Sequence, residues 1–379
     1  MKNRKLKEAI YTILFITLLG LFVGYLSVNM GIANLFSSLM KTAHTLLLET
    51  ALYILAISVI MGALGNLANE FGLVKIFNYI FAPLMKPLYN LPGASSLGIV
   101  TTYLSDNPAI ITLANDDSYL DYFTEDEVPT LCNLGTSFGM GLILTTFMMG
   151  FGFFNEAIIG NIGAIVGSIV SVRIMAHLIK KRKRKQAKAT IAKTAPVKKQ
   201  PDKPEYSDDS FFIRFMTAML EGGKNGVQMG VAIIPGLLFV CTIIMLLTFG
   251  PADPTVGYQG LAFEGVALLP KIGNLFSPIL TPLFGFTSPE AISFPITSLG
   301  AVGAAISLVP KFLDLGLIGG NDIAVFTAMG MCWSGYLSTH VGMMDALKRR
   351  ELISSALLSH TVGGLIAGIA AHFIYMLIA

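Results

Sequence analysis

The chain has little charge, little cysteine and few recognisable catalytic signatures. Only 13% of its 379 residues are Asp, Glu, Lys or Arg, against 54% that are hydrophobic, and its mean hydropathy is +0.69. With several apolar runs of the ~20 residues that cross a bilayer, that balance excludes an ordinary soluble enzyme and describes a polytopic membrane protein. The three cysteines, Cys132, Cys241 and Cys332, fall in apolar segments at no metal-ligand spacing, so neither a disulfide nor a zinc centre is expected. No His-Glu-x-x-His occurs, and no Gly-x-Gly-Asp that would make Asp106 and Asp345 an aspartyl pair; catalysis is not expected. Without a Gly-x4-Gly-Lys loop, direct drive by ATP would need a partner, and no organic cofactor is implied.

What charge there is lies in blocks. Lys180 to Lys185 is a dense basic run directly after an apolar helix, which marks a cytoplasmic anchor facing anionic lipid and not a nucleic-acid site. Residues 1–7 are basic and precede apolar residues from about Ile10 to Val28 with no cleavage site, so a retained first helix with a cytoplasmic N-terminus is expected. The segment from Asn115 to Glu127 reads as a solvated acidic loop, and Thr124 to Glu127 as a capping box opening the next helix. The organisation read from these features is an N-terminal helix and connection (1–44), a first repeat (45–185), a mobile cytoplasmic linker rich in Lys, Ala, Thr and Pro (186–210), and a second repeat (211–379).

The repeat is visible at an offset of about 195 residues. Phe81-Ala82-Pro83-Leu84-Met85-Lys86-Pro87-Leu88-Tyr89 matches Phe276-Ser277-Pro278-Ile279-Leu280-Thr281-Pro282-Leu283-Phe284. Thr101-Thr102 then falls on Thr297-Ser298, Glu156 on Glu351, and Ala176-His177-Leu178-Ile179 on Ala371-His372-Phe373-Ile374. The paired prolines should break a spanning helix, so each proline segment is expected to lie along the interface or bend sharply. In the first copy the basic cluster follows the last helix; in the second, Lys348-Arg349-Arg350 lies between the last two. Under the positive-inside rule the copies therefore have inverted topology, with the C-terminus outside. The expected fold is all-α: two inverted repeats, each of three spanning helices and a re-entrant helical hairpin, plus one extra N-terminal helix in the cytoplasmic membrane.

The hairpin of the first copy holds the most informative stretch, Thr101-Thr102-Tyr103-Leu104-Ser105-Asp106-Asn107-Pro108-Ala109-Ile110, a polar knot inside an apolar run from Ala94 to Leu113. An acid, an amide and a proline at membrane depth have no lipid partners and usually line a cavity. Inverted repeats with a broken segment in each half frame a secondary transporter whose site lies where the segments meet, so the knot and the Thr297 hairpin should converge near the midplane.

These residues resemble the nucleoside-recognition, or Gate-domain, membrane proteins, distantly similar to concentrative nucleoside transporters. The likeness is carried by Gly222-Gly223-Lys224-Asn225-Gly226 before an apolar helix, Ser288-Pro289-Glu290-Ala291 opening a hairpin, and Gly300 to Ala305 within it. It implies a fusion of two Gate modules, with ligand contacts borne on the hairpins. The Gly-Gln-Thr-Glu hairpin motif of true concentrative nucleoside transporters is absent.

The candidate substrate-binding residues are Thr101, Thr102, Ser105, Asp106, Asn107, Asn133, Glu290, Thr297, Ser298, Ser334 and His340. Asp106 suits a cation, a proton or a substrate amine or hydroxyl, with helix capping as the plain alternative. Glu290, in a first helical turn after Pro289, is equally explained by the helix dipole. Ser and Thr in membrane helices commonly bond their own backbone, whereas His340 suits a proton relay. The expected function is secondary transport of a small polar solute, nucleoside-like or a small organic acid, coupled to Na+ or H+; the alternative is a non-transporting assembly or sporulation-type partner protein. The expected partners are that solute and membrane lipid, with a homo-oligomer open and no nucleic acid.

Overall fold

The computed structural model describes residues 2–187 and 210–378, so the 186–210 linker lies almost wholly outside the described residues. In the first part, α1 (Lys2–Met30) and α2 (Ile32–Glu70) are separated by one residue, Gly31, at φ 79°. There follow α3 (Leu73–Tyr89), a hairpin of α4 (Ser95–Leu104) and α5 (Pro108–Leu113), a turn α6 (Asp117–Leu120), a broken helix α7 (Thr130–Thr136) and α8 (Gly141–Gly150), and α9 (Phe154–Ala187). The second part repeats the order: α10 (Phe211–Thr248), α11 (Leu268–Phe284), a 3-10 turn Pro289–Ile292 with α12 (Ser293–Gly300) and α13 (Val302–Ile306), α14 (Leu308–Asp314), broken α15 (Gly320–Cys332) and α16 (Tyr336–Ala346), and α17 (Ile353–Ile378). No strand occurs among the described residues. This is a helical, multi-pass membrane protein: among the described residues, six helices are long and apolar enough to cross a bilayer. The seventh span expected from the sequence is the interrupted pair α15–α16.

Local sequence explains where the regularity fails. A π-helical turn lies inside α2 at Leu46–Ala51 and another inside α10 at Leu237–Cys241, and the two touch each other. Residues 44 and 45 lie inside α2. The proline segments do not break: α3 carries Pro83 and Pro87, and α11 carries Pro278 and Pro282, each inside one continuous helix. Both end on a left-handed residue, Asn90 at φ 58° and Gly285 at φ 63°. The carbonyls left over at the end of α3 accept from Arg173, with Nε to Leu88 O at 2.6 Å; those at the end of α11 accept from Asn321. The helix after the acidic loop begins at Thr130, later than the capping box suggested, although Thr124 N–H does donate to the Glu127 carboxylate.

Equivalent helices of the two parts pack against each other, running antiparallel. Along α2 and α10, Gly62 abuts Gly222, Ser58 abuts Gly226 and Leu55 abuts Gly230, so rising numbers on one helix meet falling numbers on the other. Along α9 and α17, Gly167 abuts Gly363, and Gly163 abuts Ala371. Without side chains at these points the backbones approach closely, which is the usual means of holding helices together where lipid gives no hydrophobic drive. The remaining helices and both hairpins sit between the two pairs.

The basic clusters meet at one end of the molecule. Lys183 pairs with Asp126 at 2.5 Å, Arg349 pairs with Glu125, and Arg182 donates to the Glu351 carbonyl at 2.5 Å. Glu125 and Asp126 of the acidic loop are thus paired by the end of α9 and by the α16–α17 connection. On another flank, buried Glu264 gathers the 250–267 connection by accepting from the backbone N–H groups of Ala252, Gln259 and Leu261. Asn34, Ser37 and Lys41 of α2 bond that connection's carbonyls.

A Cβ at Gly62 would lie 2.5 Å from the Gly222 carbonyl oxygen, so neither residue has room to grow. Gly222→Val should cost about 1–3 kcal/mol through overpacking. Thermal unfolding in detergent should show a midpoint lower by several degrees, whereas Gly152→Ala, where an added Cβ meets nothing, should cost only its own backbone strain.

Candidate functional site

Each hairpin turns at an unwound residue. In the first, Ser105 (φ −119°, ψ −98°) ends α4, and Asp106-Asn107 lead into Pro108, whose lack of an N–H suits a first helical position. In the second, extended Ala301 separates α12 from α13. The broken helices fail at comparable points, each through a left-handed residue: Met140 at φ 54° before α8, and Gly335 at φ 62° before α16. These four breaks converge. Asp106, Asn107, Met140, Gly300 to Gly303, Ser334, Gly335, Ser338 and Thr339 surround one cavity of about 360 Å³, closed on its flank by Ala232, Ile233 and Gly236 of α10.

Asn107 joins the two halves. Its Nδ2 donates to Ser334 Oγ at 3.0 Å and to Asp106 Oδ1 at 3.0 Å, and its side chain fits between Gly139 and Gly335, where a Cβ on either would collide with it. Asn107 is 6% exposed, and its Oδ1 accepts from no protein group. The Asp106 carboxylate accepts from Asn107 Nδ2 and lines the cavity beside the left-handed turn at Met140. A carboxylate and a bare amide oxygen side by side, with serine and threonine hydroxyls opposite, suit a small polar solute or a cation.

Behind the break in α15–α16 lies a second, fully buried polar group. His360 donates through Nε2 to the Cys332 carbonyl, which the break has freed, and its Nδ1 faces Ser171 Oγ at 3.0 Å. Ser171 accepts in turn from Asn133 Nδ2 at 2.9 Å, and Asn133 also donates to the Ala356 carbonyl and Ser359. The His340 ring lies 4.6 Å from that of His360, with Nδ1 donating to the Tyr336 carbonyl. This network anchors the break that presents Ser334.

The candidates from the sequence therefore divide. Asp106, Asn107 and Ser334 line the central cavity. Asn133 and His340 stand behind it, in the buried network. Thr102, Thr297 and Ser298 are buried and bond the carbonyls of Gly98, Ser293 and Phe294 in their own helices. Thr101 and Ser105 also bond back along α4 and line a separate cavity of about 170 Å³ with Ser58, Asn66 and Asn225. Glu290 is half-buried in the 3-10 turn, at the far end of its hairpin from the tip. Sequence reasoning missed Gly139, Met140, Gly335 and His360; glycines flanking Met140 were the available signal for the first break. Gly135-Thr136-Ser137-Phe138-Gly139 fits the Gly-x-Ser-x-Gly pattern of a nucleophile, but Ser137 is buried and donates to the Asn133 carbonyl at 2.7 Å.

Among solved structures the chain is similar to CNTnw, a concentrative nucleoside transporter, in several states. A CNTnw variant in an outward-facing state gives a TM-score of 0.58 at 16% identity, over 99% of this chain and 86% of that one. CNTnw in an inward-facing substrate-bound state gives 0.57 at 16%, over 86% and 75%; a variant in an intermediate state gives 0.56 at 16%, over 98% and 86%. The chain shares their fold. No family profile matches it and no curated protein does, so the Gate-domain likeness rests on the residues that suggested it.

His360→Ala should leave the Cys332 carbonyl unpaired and take from the Ser171 hydroxyl its contact with the ring nitrogen, at about 1–3 kcal/mol. A thermal midpoint several degrees below wild type is expected, with His360→Gln closer to wild type because an amide can still donate.

Proposed function

We propose that this chain is a secondary transporter that carries a small polar solute, nucleoside-like or a small organic acid, across the cytoplasmic membrane. The observation that carries the reading is the convergence of both hairpin tips and both helix breaks on one cavity of about 360 Å³, a volume within the range of small-ligand sites. Irregular backbone at membrane depth is tolerated where it lines such a cavity, and paired broken segments are the frame of alternating access. The fold shared with CNTnw adds the prior that this architecture moves solutes.

Asp106, Asn107 and Ser334 are the residues proposed to hold the solute and its coupling ion, Na+ or H+. Asn107 Oδ1 is a ready ligand for a cation, next to the Asp106 charge. The two halves act as inverted repeats, and the hairpin-bearing unit moves against the glycine-packed α2–α10 pair. The meeting of Lys183 and Arg349 at one end supports a cytoplasmic assignment for that end and for the linker, with the N-terminus on the same side and the C-terminus opposite.

The test is uptake into vesicles reconstituted with the full chain, over a panel of nucleosides, bases and small carboxylates, with and without Na+ and proton gradients. Wild type should accumulate at least one class, and Asp106→Ala should abolish gradient-driven uptake. Ser334→Ala should reduce uptake by about tenfold, the equivalent of one buried hydrogen bond near 1.4 kcal/mol. Silence across the whole panel defeats the transport reading; normal uptake by Asp106→Ala defeats the site.

A further inference from the structure

On the outer face of the first half, away from the central cavity, two clefts meet at one side chain. The first, of about 300 Å³, is almost wholly apolar, lined by Phe81, Leu84 and Leu88 of α3, Ile99 of α4 and Ile165 of α9. The second, of about 230 Å³, is lined by Asn90 and by Arg173, His177 and Lys180 of α9. Tyr89 borders both; it is buried, its Oη bonded to Ser168 Oγ at 2.7 Å, and forms the floor between them. We propose that the joined clefts hold one anionic phospholipid, its acyl chains in the apolar cleft and its phosphate among Arg173, His177 and Lys180.

Geometry and charge both fit. From Ile165 to Arg173 and Lys180 the helix rises roughly 12–22 Å at 1.5 Å per residue, and one leaflet of a ~30 Å hydrocarbon core is about 15 Å deep. Chains at Ile165 thus set the phosphate at the cationic cleft, and α9 continues from there into the basic run that marks the membrane surface. Arg173 spends two of its five N–H donors on the Pro87 and Leu88 carbonyls, which leaves others for a phosphate.

The second half shows that the charge is not needed for the fold. There the carbonyls at the end of α11, those of Phe284 and Gly285, accept from neutral Asn321, and the positions matching Arg173 and Lys180 are Gly368 and Tyr375. The cation cluster belongs to one half only, beside an apolar cleft that opens toward lipid, and an anionic amphiphile answers both properties. The proposal does not depend on transport.

Native mass spectrometry of the full chain tests it, with dioleoyl phosphatidylglycerol and dioleoyl phosphatidylcholine offered in equal amounts. Wild type should retain phosphatidylglycerol with a preference of about thirtyfold, as expected for two cations at a membrane surface. Lys180→Glu combined with His177→Ala should remove the preference, and Ile165→Trp, which fills the apolar cleft but leaves every cation, should remove retention itself. Both variants alter exposed positions, and an unchanged thermal midpoint in detergent confirms that they fold. Equal retention of the two lipids overturns the proposal. So does a preference that survives Ile165→Trp, which would assign the anion to the basic run alone, or displacement of the lipid by millimolar inorganic phosphate.

Discussion

Every backbone N–H and C=O placed inside a bilayer must find its partner within the protein, and this structure is arranged around the four places where helices cannot supply one. The two hairpin tips and the two interrupted helices are gathered round one cavity, so polar groups at one break meet those of another or of the helix behind it. Asn107, at the first hairpin tip, donates to Asp106 beside it and to Ser334 at the break across the cavity. The carbonyl of Cys332 is met from behind by His360. Were the breaks scattered, each would need its own polar escort against lipid. Collected, they make one cavity whose walls are already hydrogen-bonding groups.

The gathering depends on helices that approach without side chains between them. Gly62 against Gly222, and Gly167 against Gly363, let equivalent helices of the two halves run antiparallel in contact. The antiparallel pairing brings one hairpin in from each end. It also carries the end of α9 to the α16–α17 connection, so that two basic clusters far apart in the chain share an acidic loop.

Much of this was legible in the chain. The polar knot at Asp106-Asn107 has no partners in lipid, and these two residues line the central cavity while Ser105 faces another. The matched Phe-x-Pro segments showed where the second hairpin would stand. Hydroxyls were the weak point: Thr101, Thr102, Thr297 and Ser298 occupy matching positions, yet each bonds the carbonyl one turn back, a choice set by rotamer and not by residue type. Asn133 and His340 were expected at the cavity because they lie in the helices that flank the hairpins; the rotation of their helices turns them to α9 and α17. The prolines of α3 promised a break and gave none, because a continuous helix can lose single N–H donors when a neighbour caps its end.

The sequence by itself determined the helical membrane fold, the repeated order of elements and the position of the first hairpin tip, because hydropathy, periodicity and an unpartnered carboxylate are local properties that lipid judges segment by segment. Tertiary structure alone decided which side chains share the cavity, that His360 supports the second break, and that a lipid-shaped pair of clefts lies beside Tyr89. Those outcomes rest on the rotation of each helix and on contacts between residues more than a hundred positions apart in some cases, as between Asn107 and Ser334. No local pattern encodes which face of one helix another will choose.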